Sequence, residues 1–301
     1  MDATISIRYA AGAIASVAAV AIVVWFGLRE REPPLTCADG FVRSGARCCG
    51  LGQTLVNGRC AGIASGCAAG FQRVGPDLAS ACVVIDQRVA LSGGVLPRGT
   101  ADWQARALDR ELDVEDFSID RNEVTVARYA ACVRAKVCAA LPENPEAGLP
   151  VVGLAPERAE RFCRFAGGRL PTSAEWRFAA SGIEGRRFPW GFTGLVCRRA
   201  AFGLVAGPCS GEGTGPDLAG ARPDGRTPEG VFDLAGNVAE WTRDPNGSYR
   251  ARGGSFRSRV AAELVTAAVE SPAADAQHVG FRCVYDSAAT RTSANDGTNS
   301  H

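Results

Sequence analysis

The sequence predicts an α/β (α+β) domain of short strands, few helices and much irregular chain, preceded by one transmembrane helix and a small disulfide-rich module. Three observations carry this. Residues 9–28, "YAAGAIASVAAVAIVVWFGL", form a continuous uncharged run. All twelve cysteines lie C-terminal to that run. From about residue 89 the apolar pattern breaks into short pieces, with helical periods separated by glycine- and proline-rich chain.

The run from Tyr9 to Leu28 is long enough to span a bilayer and closes on Trp25, an interfacial residue type. A cleavable signal peptide is the competing reading. It fits less well, because Arg29-Glu30-Arg31-Glu32 follows directly where a small-residue cleavage site should stand. Residues 1–8 are then a cytoplasmic N-terminus, 9–28 the anchor and 29–36 a linker. The even cysteine count, with only two histidines and no Cys-x2-Cys knuckle, favours disulfides over zinc and an oxidising compartment. The bulk of the chain is therefore expected to be membrane-anchored and periplasmic or otherwise extracytoplasmic. Lys+Arg of 33 against Asp+Glu of 32 leaves a net charge of +1, which argues against nucleic acid as a partner.

Residues 37–84 hold three loops, Cys37 to Cys48, Cys49 to Cys60 and Cys67 to Cys82, each opening Cys-x-x-Gly and turning before its closing cysteine. They read as three degenerate copies of one hairpin, each closed by its own bridge. A segment so short buries little apolar surface, and each bridge would add about 3 kcal/mol by constraining the unfolded chain. A stapled spacer and an extracellular contact module are both open readings.

Residues 89–285 read as the main domain. "VALSGGVLPRG" predicts a strand with a Gly-Gly turn, and Phe117 to Ile119 alternates as a strand. Thr125 starts a helix that should bury Val126, Tyr129 and Val133, with Cys132 and Cys138 placed to bridge its end. "APERAERFCRFAGG" predicts a helix with Ala159, Phe162, Cys163 and Ala166 on one face, stopped by Gly167-Gly168. In "RLPTSAEWRFAASG" Thr172 and Glu175 form a capping box. Residues 192–230 are irregular and hold Cys197 and Cys209, expected to pair as a staple. The tail 286–301 lacks apolar residues and reads as disordered.

The ordered landmarks "FSIDRNEVTVARY", "FCRFAGGRLPTSAEWRFAASG", "FPWG", "GVFDLAGNVAEW", "RGGSF" and "GFRC" closely resemble the formylglycine-generating enzyme family, also called the sulfatase-modifying factor family. The resemblance covers about Val89 to Tyr285 and implies a fold distantly like that of C-type lectins. It implies a Cys163–Cys283 bridge, and it puts a second family bridge at Ala180 and Ala268, where both partners are absent together. It further implies one structural calcium site, with Asp233 and Glu240 contributing side chains and Gly236 and Val238 carbonyls, a donor set that suits a hard cation. The alternative for Asp233 and Asn237 is that they only satisfy turn backbone. A second family calcium site needs an asparagine in the region reading "CRRAAFG", which has none.

Active members of the family oxidise a substrate cysteine to formylglycine with O2 and copper held by two cysteines. In register those positions are Ser258 and Glu263, and Ser255 matches a family serine beside the active site. Hydroxyl and carboxylate are hard ligands that do not hold Cu(I), so copper is not expected. His278 and His301 are too few for a histidine-ligated iron site, and no Gly-x-Ser-x-Gly elbow supports a hydrolase. Glu263 opposite Asp233 or Glu240 is a remote candidate for a glycosidase pair. Arg252, Arg257 and Arg259 either form an anion-binding loop or pair with acids at a strand edge.

These readings predict a membrane-anchored extracytoplasmic domain without formylglycine-generating activity that binds a protein or cell-envelope component or serves a structural role. The alternative is an oxidoreductase of the same superfamily with a metal site rebuilt near Ser258 and Glu263.

Overall fold

A computed structural model describes residues 112–287 except 143, 144 and 275, residues 88–96, and between 41 and 84 chiefly the strands of three hairpins. The run at 9–28, the linker and the tail beyond 287 lie outside the described residues. No helix among the described residues is long and apolar enough to cross a membrane.

A two-stranded antiparallel hairpin falls at each predicted cysteine loop, its second strand running past the closing cysteine. Strand β1 (Phe41–Ser44) pairs with β2 (Arg47–Gly50), β3 (Thr54–Val56) with β4 (Arg59–Ala61), and β5 (Phe71–Val74) with β6 (Ala81–Val84). Gly45 lies between β1 and β2 at φ +62°, the left-handed conformation that a two-residue hairpin turn demands. The Ser44 hydroxyl accepts the Leu55 amide at 2.8 Å, which ties the first hairpin to the second. Cys49 is buried and disulfide-bonded. The pairings expected of Cys37, Cys48, Cys60, Cys67 and Cys82 fall outside the described side chains.

The main domain opens with β7 (Arg88–Leu91), β8 (Gly94–Leu96), β9 (Leu112–Val114) and β10 (Phe117–Asp120). Helix α1 (Val126–Arg134) follows, capped by Thr125, whose hydroxyl accepts the Arg128 amide at 3.3 Å. It buries Val126, Tyr129 and Cys132. The expected Val133 is only half-buried, because the bond from Cys132 to Cys138 turns the cysteine inward instead. Helix α2 (Pro156–Phe165) starts on proline and buries Ala159, Phe162 and Cys163. Gly167, at φ +82°, ends it, and Gly168 lets the chain pass a strand: a Cβ there would lie 2.3 Å from the Val284 carbonyl oxygen. Helix α3 (Ser173–Ser181) carries the full Thr172–Glu175 capping box.

Beyond α3 the chain is irregular, stapled by Cys197–Cys209, until β11 (Ala239–Arg243) and β12 (Tyr249–Arg252). The short strands β13 (Val269–Glu270), β14 (Val279–Gly280) and β15 (Val284–Asp286) complete it. One sheet has the order β15-β10-β7 and is antiparallel; the other has the order β13-β12-β11-β14, with only β11 and β14 parallel. The Tyr129, Phe162 and Phe281 rings meet with 5.6 Å between centroids at both contacts, and the Cys163–Cys283 bond ties α2 to the strand end beside them. That bridge closes a separation of 120 residues, worth roughly 4–5 kcal/mol on a chain-entropy basis. Ala180 is fully buried and Ala268 packs at the margin of another apolar cluster.

Candidate functional site

The stretch from Arg252 to Glu263 leaves the end of β12 and turns at once, with Gly253 at φ +91° and Gly254 at φ +64°. A Cβ on Gly254 would stand 2.6 Å from the Glu263 carbonyl oxygen and 2.9 Å from Ser258 Oγ, so the two ends of the loop can meet there only over glycine. The loop is strapped to its neighbours by backbone bonds: Phe256 N donates to the Asn237 carbonyl at 2.8 Å, and the Phe256 and Ser258 carbonyls accept from Leu204 and Gly203.

Ser258 and Glu263 both line a cavity of about 520 Å³, together with Arg252, Gly253, Gly254 and Glu270. Their polar atoms serve the loop itself. Ser258 Oγ accepts the Ser255 amide at 3.0 Å, and Glu263 Oε2 accepts the Arg259 amide at 2.9 Å. Ser255 is buried beneath, its hydroxyl accepting the Arg257 amide at 3.2 Å. Oxygen donors already engaged with backbone are a poor match to soft Cu(I), and every described cysteine is in a disulfide. The residues present do not fit a copper centre.

The arginines of the loop part company. Arg257 and Arg259 are exposed. Arg257 lies over the Phe256 ring at 5.4 Å and lines a second cavity with Glu270, Gln277 and His278. His278 Nε2 stands 3.4 Å from Glu270 Oε1. Arg252 alone of the three reaches the first cavity.

The turn Asp233 to Glu240 underlies this loop and is held by unusual backbone: Asp233 at φ +57°, Gly236 at +81° and Asn237 at +58°. Glu240 is fully buried and accepts from Trp176 Nε1 at 2.7 Å, Arg282 Nε at 2.7 Å and Arg282 Nη2 at 2.5 Å. A carboxylate so engaged cannot act as one half of a glycosidase pair with Glu263. Asp233 Oδ2 accepts the Gly220 amide at 2.6 Å. Burial, with Asp217 and Glu240 nearby, raises Asp233 to about 6 although the Gly220 amide and Arg282 oppose the shift. Glu123 accepts from Asn237 Nδ2 at 2.9 Å and the Val238 amide at 3.3 Å. Burial and the charges of Asp233 and Glu240 push its carboxyl well above the usual range.

Glu123, Asp233 and Glu240 thus surround the single guanidinium of Arg282. Three carboxyl groups share one cation. The donors are mixed, however: among the described residues no group of three or more His, Cys, Asp or Glu side chains is placed to hold a metal. A calcium ion here would rest on Asp233 and the Gly236 and Val238 carbonyls, with Glu240 shared with Arg282. The set fits calcium by donor type.

Sequence reasoning missed Arg282, Trp176 and Glu123. A signal existed for the first: an arginine between Phe281 and Cys283, both core residues, has to enter the core with a partner.

A model of the sulfatase-modifying factor enzyme 1-like domain matches residues 76–287. A formylglycine-generating enzyme of Streptomyces coelicolor is 32% identical, over 69% of this chain and 91% of its own length. An inactive C-alpha-formylglycine-generating enzyme 2 of Bos taurus is 30% identical over 47% of this chain and 54% of its own length. Against the Mus musculus formylglycine-generating enzyme the chain spans 48% of that protein's length. Among solved structures, PvdO from Pseudomonas aeruginosa superposes with a TM-score of 0.53 at 19% identity, over 66% of this chain and 94% of that one. Treponema denticola variable protein 1 gives 0.51 at 16%, over 71% and 98%. These structural likenesses speak for the fold.

Proposed function

The chain belongs to the sulfatase-modifying factor enzyme 1-like family, and from that premise we propose that it is a membrane-anchored, extracytoplasmic member that has lost copper chemistry and works as a binding or structural component. The observation that carries this reading is the fate of Ser258 and Glu263, whose oxygens are spent on the Ser255 and Arg259 amides of their own loop. A family member described as inactive stands among the relatives, so the fold is compatible with such a role. The uncharged run at 9–28 supports the anchor, and the three disulfides of the main domain support an oxidising compartment. The ligand would be a protein or envelope component lying in the cavity beside Arg252 and Ser258.

The test is chemical. Full-length protein loaded with copper and incubated with a Cys-x-Pro-x-Arg peptide is expected to form no aldehyde by mass spectrometry. Accumulation of formylglycine would overturn the reading.

One calcium ion at Asp233, Gly236, Val238 and Glu240 belongs to the same reading, as a structural ion. Adding calcium after chelation is expected to raise the thermal midpoint by ~5–10 °C at a hundredfold excess over Kd. An unchanged midpoint would remove calcium from the account.

A further inference from the structure

The buried guanidinium groups of Arg282, Arg222 and Arg186 each meet carboxylates: Glu240, then Asp217 with Glu212, then Glu184 with Glu229. Arg252 differs. Its cross-strand neighbour is Glu240, whose carboxylate is already held by Arg282 and Trp176. No carboxylate lies within ion-pair distance of Arg252 among the described residues, and its Nε is buried without an acceptor. The hydrogen bond it does make is weak, from Nη1 to the Ala268 carbonyl at 3.3 Å. Burial, then the nearby Arg177, lowers its pKa to about 10, which still leaves it charged at neutral pH. A cation desolvated on one side, with Asp244 near enough to act on it but no carboxylate in contact, is costly unless a ligand supplies one.

The ligand's place is open, since Arg252 lines the cavity of about 520 Å³, a size that suits a small ligand or a short peptide segment. Ser258 lines it too, and because its Oγ accepts from Ser255 N its hydroxyl proton is available to donate outward. Of the two acids on the wall, Glu263 holds the Arg259 amide and Glu270 Oε1 stands 3.4 Å from His278 Nε2.

We infer that Arg252 and the Ser258 hydroxyl form a carboxylate seat, filled by an acidic side chain or C-terminus of a peptide in the cavity; this rests on the binding role argued above. A guanidinium presents paired N–H donors that match a carboxylate.

The test uses full-length protein in detergent with arginine Nε labelled for NMR. Three probes are titrated: Ac-Ala-Ala-Glu-Ala-Ala-NH2, its glutamine analogue, and sodium acetate. The glutamate peptide is expected to bind at least ~10-fold more tightly than the glutamine one and to shift the Arg252 Nε–H resonance. Arg252→Gln should abolish the difference and Arg252→Lys keep part of it. Acetate shifting the resonance where the peptide does not would keep the seat and assign it to free small carboxylates. Equal binding of the two peptides with no response to acetate would overturn the seat. Should Arg252→Gln fail to fold, the resonance of the unaltered protein decides. Aldehyde formation together with carboxylate binding would remove the non-catalytic reading but leave the seat; absence of both would remove the seat alone.

Discussion

Replacing Arg282 with leucine is expected to destabilise the domain by about 3–5 kcal/mol, because it strips the counter-charge from a carboxylate that has no access to water. Arg282 and Glu240 are both fully buried. Besides its two bonds to Glu240, the guanidinium donates to the carbonyls of Asp120, Arg121 and Phe232 at 3.1, 3.2 and 2.8 Å. Its loss therefore takes a donor from the Asp120, Arg121 and Phe232 carbonyls and leaves Glu123, Asp233 and Glu240 to repel one another. Urea denaturation of the full-length protein measures the effect. The double change Glu240→Met with Arg282→Leu should recover part of the loss, since an apolar pair avoids the unpaired charge. A single Arg282→Leu variant within 1 kcal/mol of the parent would show that the pair does not organise the turn beneath the loop.

That pair also marks where sequence reading stopped. The Thr172–Glu175 capping box and the Cys197–Cys209 staple were legible because their partners lie close in sequence. The Cys163–Cys283 bond spans 120 residues and followed only from family resemblance. Arg282 and Glu240 lie 42 residues apart in sequence, Glu240 on β11 and Arg282 in the link between β14 and β15, and no local rule couples them. The same holds for Ser258 and Glu263. Their identity announced that thiols were absent, but their new work depends on a loop shape set by Gly254 and by straps to Gly203, Leu204 and Asn237. Arg252, Arg257 and Arg259 looked equivalent in sequence. Packing separates them, placing one at the cavity wall and two at the surface.

Restoring two thiols, Ser258→Cys with Glu263→Cys, is expected to create Cu(I) binding roughly 100-fold or more above the parent protein, by competition with a chromogenic Cu(I) chelator under ascorbate. Two thiolates would supply the soft donors that Cu(I) selects. Both positions face the same cavity, and Gly254 already allows the close approach between their two segments. The change forfeits the bonds to the Ser255 and Arg259 amides, a cost of about 1 kcal/mol each, which the metal would offset. Each single variant should bind far more weakly than the pair, because one thiolate among hard oxygens does not satisfy Cu(I). Parent-like affinity in a folded double variant would mean that the loop itself has moved away from metal-binding geometry. Strong binding would place the loss of the metal in two side chains, with the surrounding loop still shaped to present a ligand pair.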